Sequence, residues 1–266
     1  MKHNDIDLKD WKNANVNVDS LWIIPSRDKG GKHKNTYHGN FIPQIPNQLI
    51  RRYTKENEVV LDVFLGSGTT LYECESLKRK CVGMDINTEI LQFVKTQMGG
   101  IKSMQNQYFF GECDNRNSTA VREFMQKALD CVNAKSVQFI IMHPPYMDII
   151  KFSEKVEDFS LIGDLKEFAT AFLQTCQNVI QYLDSKRYFA IVLGDVYKQS
   201  EVKPLAFYTM NAIKQNFNVK LKGIVVKNIE GNRGKLGSAN IWQYRALSSD
   251  YYLFKHEYIF VFKKEG

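Results

Sequence analysis

A chain of 266 residues, 44% hydrophobic and 12% aromatic, carries enough apolar material for one sizeable core and is short for two domains. Its 36 lysines and arginines outnumber 29 acids to leave a net charge of +7, a balance that suits a polyanionic partner. No apolar run approaches 18 residues, so a membrane span is excluded. The five cysteines (Cys74, Cys81, Cys113, Cys131, Cys176) form no Cys-x-x-Cys pair. They are read as reduced packing residues of a cytoplasmic protein, not as a disulfide framework or a metal site.

Residues 1–37 are polar and expected to form an irregular basic arm. Within it, the glycine-broken loop from Ser26 to Asn35 is either a solvated loop or a phosphate-contacting one. The segment from Tyr37 to Tyr53 is punctuated by Pro43 and Pro46 and should run extended until a helix begins near Leu49. Phe41 in this segment reads as core. Val59–Leu61 is a buried strand that ends at Asp62. A loop with Phe64, Gly66 and Gly68 follows, then Thr69 and a helical pattern with Leu71, Cys74 and Leu77 on one face. Glycines at a strand-to-helix turn permit unusual backbone angles and close ligand approach. The unpaired N–H groups of the helix start suit an anionic ligand end.

The chain then alternates. Cys81–Asp85 is a short strand closed by an acid 17 residues after Gly68, near the spacing at which a second-strand acid binds ribose hydroxyls. A helix carries Ile90, Leu91, Val94 and Met98, and Tyr108–Asp114 is a third strand with its exit. Asp85 and Asp114 could each instead cap the helix that follows. After a helix with Val121, Phe124, Met125, Ala128 and Val132, the strand Val137–Met142 runs into His143, Pro144, Pro145 and Tyr146. The prolines fix φ and stop the strand, so the backbone leaves the sheet rigidly. Asp148–Glu154 is expected to be a mobile loop, and Leu165–Leu183 a long core helix. Tyr188–Asp195 is a fifth strand, with Asp195 read as structural. Val219–Val226 and His256–Phe262 close the sheet as an antiparallel pair. The pattern is α/β: one twisted sheet, mostly parallel, with an antiparallel C-terminal strand and helices on both faces.

Two strand ends stand out, one glycine-lined and one closed by Pro-Pro-aromatic. In open α/β sheets ligands bind beyond the carboxyl ends of strands, so these ends suggest one cleft for a cofactor and a planar substrate. Asp62-Val-Phe-Leu-Gly-Ser-Gly68 resembles the cofactor loop of S-adenosylmethionine-dependent DNA methyltransferases that act on exocyclic amines. His143-Pro-Pro-Tyr146 is similar to their catalytic tetrapeptide, usually Asp-Pro-Pro-Tyr or Ser-Pro-Pro-Tyr. The similarity runs from about His38 to the C-terminus. Only 29 positions separate Asp114 from His143, so the cofactor half directly precedes the catalytic half.

The resemblance implies a Rossmann-like methyltransferase fold in a single domain, 1–266, with S-adenosyl-L-methionine as cofactor. It implies cofactor contacts from His38, Phe41, Pro43, Asp62, Phe64, Gly66, Gly68, Thr69, Asp85 and Asp114. His143 and the Pro144 carbonyl would accept hydrogen bonds from the target amine, and Tyr146 would stack on a flipped base. The histidine departs from the usual Asp or Ser, and a neutral imidazole accepts through only one nitrogen. Residues 227–255, between the last two strands, are expected to form a target-recognition insertion. There Arg233, Lys235, Asn240, Trp242 and Arg245 carry groups that read or wedge bases; a long polar hairpin connection is the other reading. Double-stranded DNA is the implied partner, with a cognate restriction endonuclease as a further one and no metal. Adenine N6 is slightly favoured over cytosine N4 as the target. Cytosine C5 chemistry is disfavoured because no Pro-Cys nucleophile occurs. An RNA or protein-glutamine N-methyltransferase, or a noncatalytic nucleic-acid-binding subunit, are the alternatives.

Overall fold

The computed structural model describes residues 3–33, 40–99, 106–230 and 239–266. The hydrophobic runs read above form the centre of one eight-stranded sheet. Its strands are β1 (Leu21–Trp22), β2 (Val59–Asp62), β3 (Lys80–Asp85), β4 (Tyr108–Glu112), β5 (Val137–Met142), β6 (Leu183–Leu193), β9 (Val219–Asn228) and β10 (His256–Lys264), while β7 (Val196–Lys198) and β8 (Glu201–Lys203) make a separate hairpin. The order across the sheet is β1-β9-β10-β6-β5-β2-β3-β4. Every pairing within it is parallel except the two made by β10, which lies antiparallel between β6 and β9.

Alternation along the strands sends side chains to two cores. Val59 and Leu61 of β2 and Phe189, Ile191 and Leu193 of β6 face one side. There they meet α4 (Ser118–Cys131), α5 (Leu165–Ile180) and α6 (Leu205–Asn216). Val60, Ala190 and Val192 face the other, with α1 (Gln44–Tyr53), α2 (Thr69–Ser76) and α3 (Thr88–Gln97). The helices start where their sequences supply caps. The side chain of Asn87 accepts from the Glu89 and Ile90 amides, that of Asn117 from Thr119 and Ala120, and that of Asp164 from Lys166 and Glu167. Neither Asp85 nor Asp114 is therefore a helix cap.

Three expectations change. The N-terminal arm is not wholly irregular: β1 pairs in parallel with β9, and Trp22 is buried. Two of the arm's basic residues are also engaged, Lys32 with Glu75 at 2.6 Å and His33 with Glu73 at 2.6 Å. Next, α1 begins at Gln44, earlier than Leu49, because Pro46 falls in the first turn, where a missing N–H costs no helical bond. Finally, Asp148–Glu154 is tied down. Met147–Ile149 forms a 3₁₀ turn, Asn87 Nδ2 donates to the Phe152 carbonyl at 3.1 Å and Lys155 Nζ to the Ile86 carbonyl at 2.8 Å. Among the described residues, no helix is long and apolar enough to cross a membrane.

Phe139 is the centre of the sheet's second face: fully buried, with its ring stacked on Tyr53 at 5.8 Å. Phe139→Ala leaves a cavity beneath β5 and should cost about 3–5 kcal/mol, read from the shift in denaturant midpoint at unchanged slope.

Candidate active site

The strand order reverses between β2 and β5. From β2 the chain steps outward through β3 and β4, and from β5 it steps the other way to β6. The pairing of Asp62 with Ile141 places both strand ends side by side. The next helices, α2 and α5, pack on opposite faces, so the two loops part and open a crevice. A cavity of about 720 Å³ fills it, a volume suited to a nucleoside-sized ligand with a second planar group. Phe64, Gly66 and Thr69 line it from one strand end and His143, Pro144, Pro145 and Tyr146 from the other.

On the glycine side, the loop is held from below. The Gly66 amide donates to Asp85 Oδ2 at 2.7 Å and the Phe64 amide to Asp62 Oδ1 at 3.0 Å. Gly66 and Gly68 have φ of 51° and 86°, the left-handed region that side chains resist. Asp85, Asp114 and Phe41 lie on the cavity wall. Burial pushes the Asp85 carboxyl up, against the pull of the Asn87 and Gly66 amides. Asp62, Gly68 and Pro43 are not on the wall. Asp62 is buried behind the loop, where desolvation raises its carboxyl to about 7 despite the Thr70 hydroxyl and the Phe64 amide. Gly68 backs onto Tyr72 and Val94. Pro43 is the N-cap of α1, and its neighbour Ile42 faces the cavity instead. His38 lies outside the described residues.

The tetrapeptide side is built from packed rings. His143 packs its ring against Phe41, centroids 4.8 Å apart, and meets Tyr146 edge-on at 5.6 Å. Just after Tyr146, buried Met147 takes a φ of 56° and turns the chain beneath the ring. Tyr146 also lies over Gly194 so closely that a Cβ there would sit 2.9 Å from its ring. Its hydroxyl donates to Glu257 Oε2 at 2.8 Å, and the buried Lys227 donates to Glu257 Oε1 at 2.9 Å. Burial is the largest influence on His143 and lowers its pKa to about 4; Glu257 opposes the shift and Lys227 adds to it. The imidazole is thus neutral at physiological pH. Tyr146 is held well above its usual value by burial and by Glu257.

Several cavity residues carry no motif signal. Both amide atoms of Asn40 are buried, at the cavity, without a hydrogen-bond partner among the described residues. Such an orphaned amide fits a polar ligand group. Glu257 and Lys227 face each other across β10 and β9, and Lys227 is a strand residue, not the first of an insertion. Of the expected base-reading residues, Arg233 and Lys235 lie outside the described residues. Asn240, Trp242 and Arg245 fall in α7 (Ala239–Ser248), and the side chain of Asn240 is not described. Trp242 reaches the cavity, and the Arg245 guanidinium lies 5.2 Å from the centre of its ring. Asp195 lines the same cavity and accepts from the Ala206 amide in the first turn of α6. Among the described residues, no group of three or more His, Cys, Asp or Glu could hold a metal ion.

The sheet order, with β10 as its antiparallel strand, and a cavity at the switch point define a Rossmann-like methyltransferase fold. A solved structure of TrmN from Thermus thermophilus has the same fold at TM-score 0.53 and 16% identity, over 85% of this chain and 50% of that one. Residues 1–96 match the family model described as DNA methylase, of the N6/N4 type. The chain matches that exocyclic-amine methylase model over 96 of its 266 residues. Its curated relatives include the type II methyltransferase M.MjaII of Methanocaldococcus jannaschii, 29% identical over 30% of this chain. The HindVI Mod subunit of a probable type III restriction-modification enzyme of Haemophilus influenzae is 27% identical over 63%, and the type II methyltransferase M.HindIII of the same species is 38% identical over 29%. The matched segments span 16%, 24% and 23% of those three proteins.

The geometry generates two expectations. The His143 ring should stay neutral to about pH 4 in an NMR titration of its carbon-bound protons. Its folded pKa lies below the unfolded 6.5, so its contribution to stability is complete above pH 6.5 and is lost as pH falls toward 4. Gly194→Ala should displace the Tyr146 ring and lower catalytic turnover by about tenfold or more, with the unfolding midpoint moved by only a few degrees.

Proposed function

We propose that this protein is a site-specific DNA methyltransferase that transfers a methyl group from S-adenosylmethionine to the exocyclic amine of a base turned out of the duplex. One observation carries the reading: a glycine-lined loop and a Pro-Pro-Tyr strand end, on adjacent parallel strands, share one cavity. The bound cofactor supplies an electrophilic methyl carbon next to a sulfonium. Phe41, Phe64, the Gly66 loop and Thr69 would hold it, with Asp85 placed for ribose hydroxyls and Asp114 for the adenine amino group. Asn40 offers an additional amide.

The chain's own residues do the positioning. A base amine is a weak nucleophile because its lone pair is delocalised into the ring. The His143 ring nitrogen and the Pro144 carbonyl accept its two N–H bonds and so draw the lone pair out of conjugation. Tyr146 holds the base plane, and the Phe41 ring packed against His143 fixes the acceptor. Transfer would form an N–C bond as the donor's C–S bond breaks, with the surplus amine proton passing to solvent. A neutral imidazole suits this role, since a protonated one would have no lone pair to offer.

Trp242, Arg245 and Asn240, with Arg233 and Lys235, are assigned to the DNA side, and the +7 charge supports backbone contact. Adenine N6 is the target in this reading, the location is cytoplasmic, and a restriction endonuclease is its cellular counterpart. Labelled methyl from S-adenosylmethionine should appear in duplex DNA, as N6-methyladenine after nucleoside digestion. N4-methylcytosine would correct the base, whereas transfer only to RNA or to protein glutamine would overturn the reading. His143→Ala should slow transfer at least about a hundredfold with cofactor affinity near wild type, and unchanged turnover would remove its role.

A further inference from the structure

We propose that Glu257, held by Lys227, sets the tautomer of His143 through the Tyr146 hydroxyl, so that Nδ1 faces the target amine as a bare acceptor. Glu257 and Lys227 are thereby positioning residues, and the inference rests on His143 acting as the amine acceptor in the methyl transfer proposed above.

The hydrogen count leaves one solution. A carboxylate paired with a lysine ammonium has no hydrogen to give, so at the 2.8 Å contact between Tyr146 and Glu257 Oε2 the phenol is the donor. Its only hydrogen is then spent. The same phenol oxygen lies 3.2 Å from His143 Nε2 and can only accept there. An unprotonated Nε2 would set two lone pairs against each other in a poorly solvated cleft. Nε2 therefore carries the hydrogen, and because burial keeps the ring neutral, Nδ1 carries none. Nδ1 has no hydrogen-bond partner among the described residues and is not among the sealed polar atoms.

The surroundings keep the chain of bonds in register. Phe41 fixes the imidazole plane from one side. Gly194 leaves the room that Tyr146 occupies, and Met147 turns the backbone beneath it. Glu257 and Lys227 are direct cross-strand partners of β10 and β9, with their side chains on one face and both buried. A buried ion pair is weak evidence for stability, since two apolar residues would commonly serve the fold as well. Its presence beside the cavity is explained by the orientation it imposes. An Asp or Ser at position 143 would accept from an amine with no tautomer to set; an imidazole accepts only if its proton sits on the far nitrogen.

Two-bond proton–nitrogen NMR of the imidazole, on full-length protein without substrate, tests this directly. The wild type should show the Nε2–H tautomer of His143. In Glu257→Gln, the side-chain carbonyl stays with Lys227 and the NH₂ turns to Tyr146, whose hydroxyl then donates to His143 Nε2. The ring proton should move to Nδ1, and methyl transfer should fall about a hundredfold at unchanged cofactor affinity. Tyr146→Phe, which leaves the ion pair intact, should give a mixture of tautomers. An Nδ1–H wild type, or the same tautomer in all three proteins, would overturn the proposal even if DNA is methylated. The stated tautomers in a protein that methylates nothing would support the relay and end the functional reading instead.

Discussion

The parallel pairing of β2 with β5 is the constraint from which the rest of the site follows. Parallel strands at a reversal of order send their next helices to opposite faces, so no packed helix closes the gap between them. Here that gap is flanked by Gly66 and by His143, from loops separated by 77 positions in sequence. Neither loop would form a cleft alone. The glycine turn supplies backbone amides without bulk, and the two prolines supply a wall that cannot relax.

Burial then governs the chemistry of that cleft. Desolvation pushes Asp62, Asp85 and Tyr146 up and His143 down, each toward its neutral form. The floor is thus organised by hydrogen-bond direction more than by charge. The exception is the Lys227–Glu257 pair, whose ammonium and carboxylate face each other at 2.9 Å. Placed at the end of a hydrogen-bonded row, that pair gives the row a polarity. A neutral glutamine in place of Glu257 would reverse the row.

Much of this was legible in the chain itself because it lay in local patterns. Val59–Asp62 with its glycines, and Val137–Met142 with its prolines, announce strand, stop and loop within a dozen residues. The helical stripes of α4 and α5 are equally local. What could not be read arises between distant segments. β1 is two residues long and exists only because β9 offers an edge, and Trp22 alone gives no period. Pro46 looked like a break and is a first-turn residue. Asp62 and Gly68 belong to the loop motif yet serve the loop's underside, since alternation at the strand end turns Asp62 inward. Glu257 sits in a strand whose alternation marks it only as buried, and its partner Lys227 resembles the first residue of a basic loop. Only the register of β9 with β10 brings them together.

That last point bears on what a histidine at position 143 requires that an acid or a hydroxyl would not. Residues 1–96 carry the family match and the loop half of the cavity, while the tetrapeptide and everything that orients it come later. A carboxylate at position 143 would need only the rigid Pro-Pro backbone to aim it. An imidazole needs in addition a partner for its other nitrogen, and that partner must itself have a defined direction. Tyr146 could supply this only if its own hydrogen were drawn elsewhere, which requires an acceptor within reach of the sheet's antiparallel strand. In the proposed relay the C-terminal strands are therefore part of the acceptor's chemistry as well as the closure of the sheet. In the proposed relay, a substitution at 143 would act together with Lys227 and Glu257, more than 80 positions downstream.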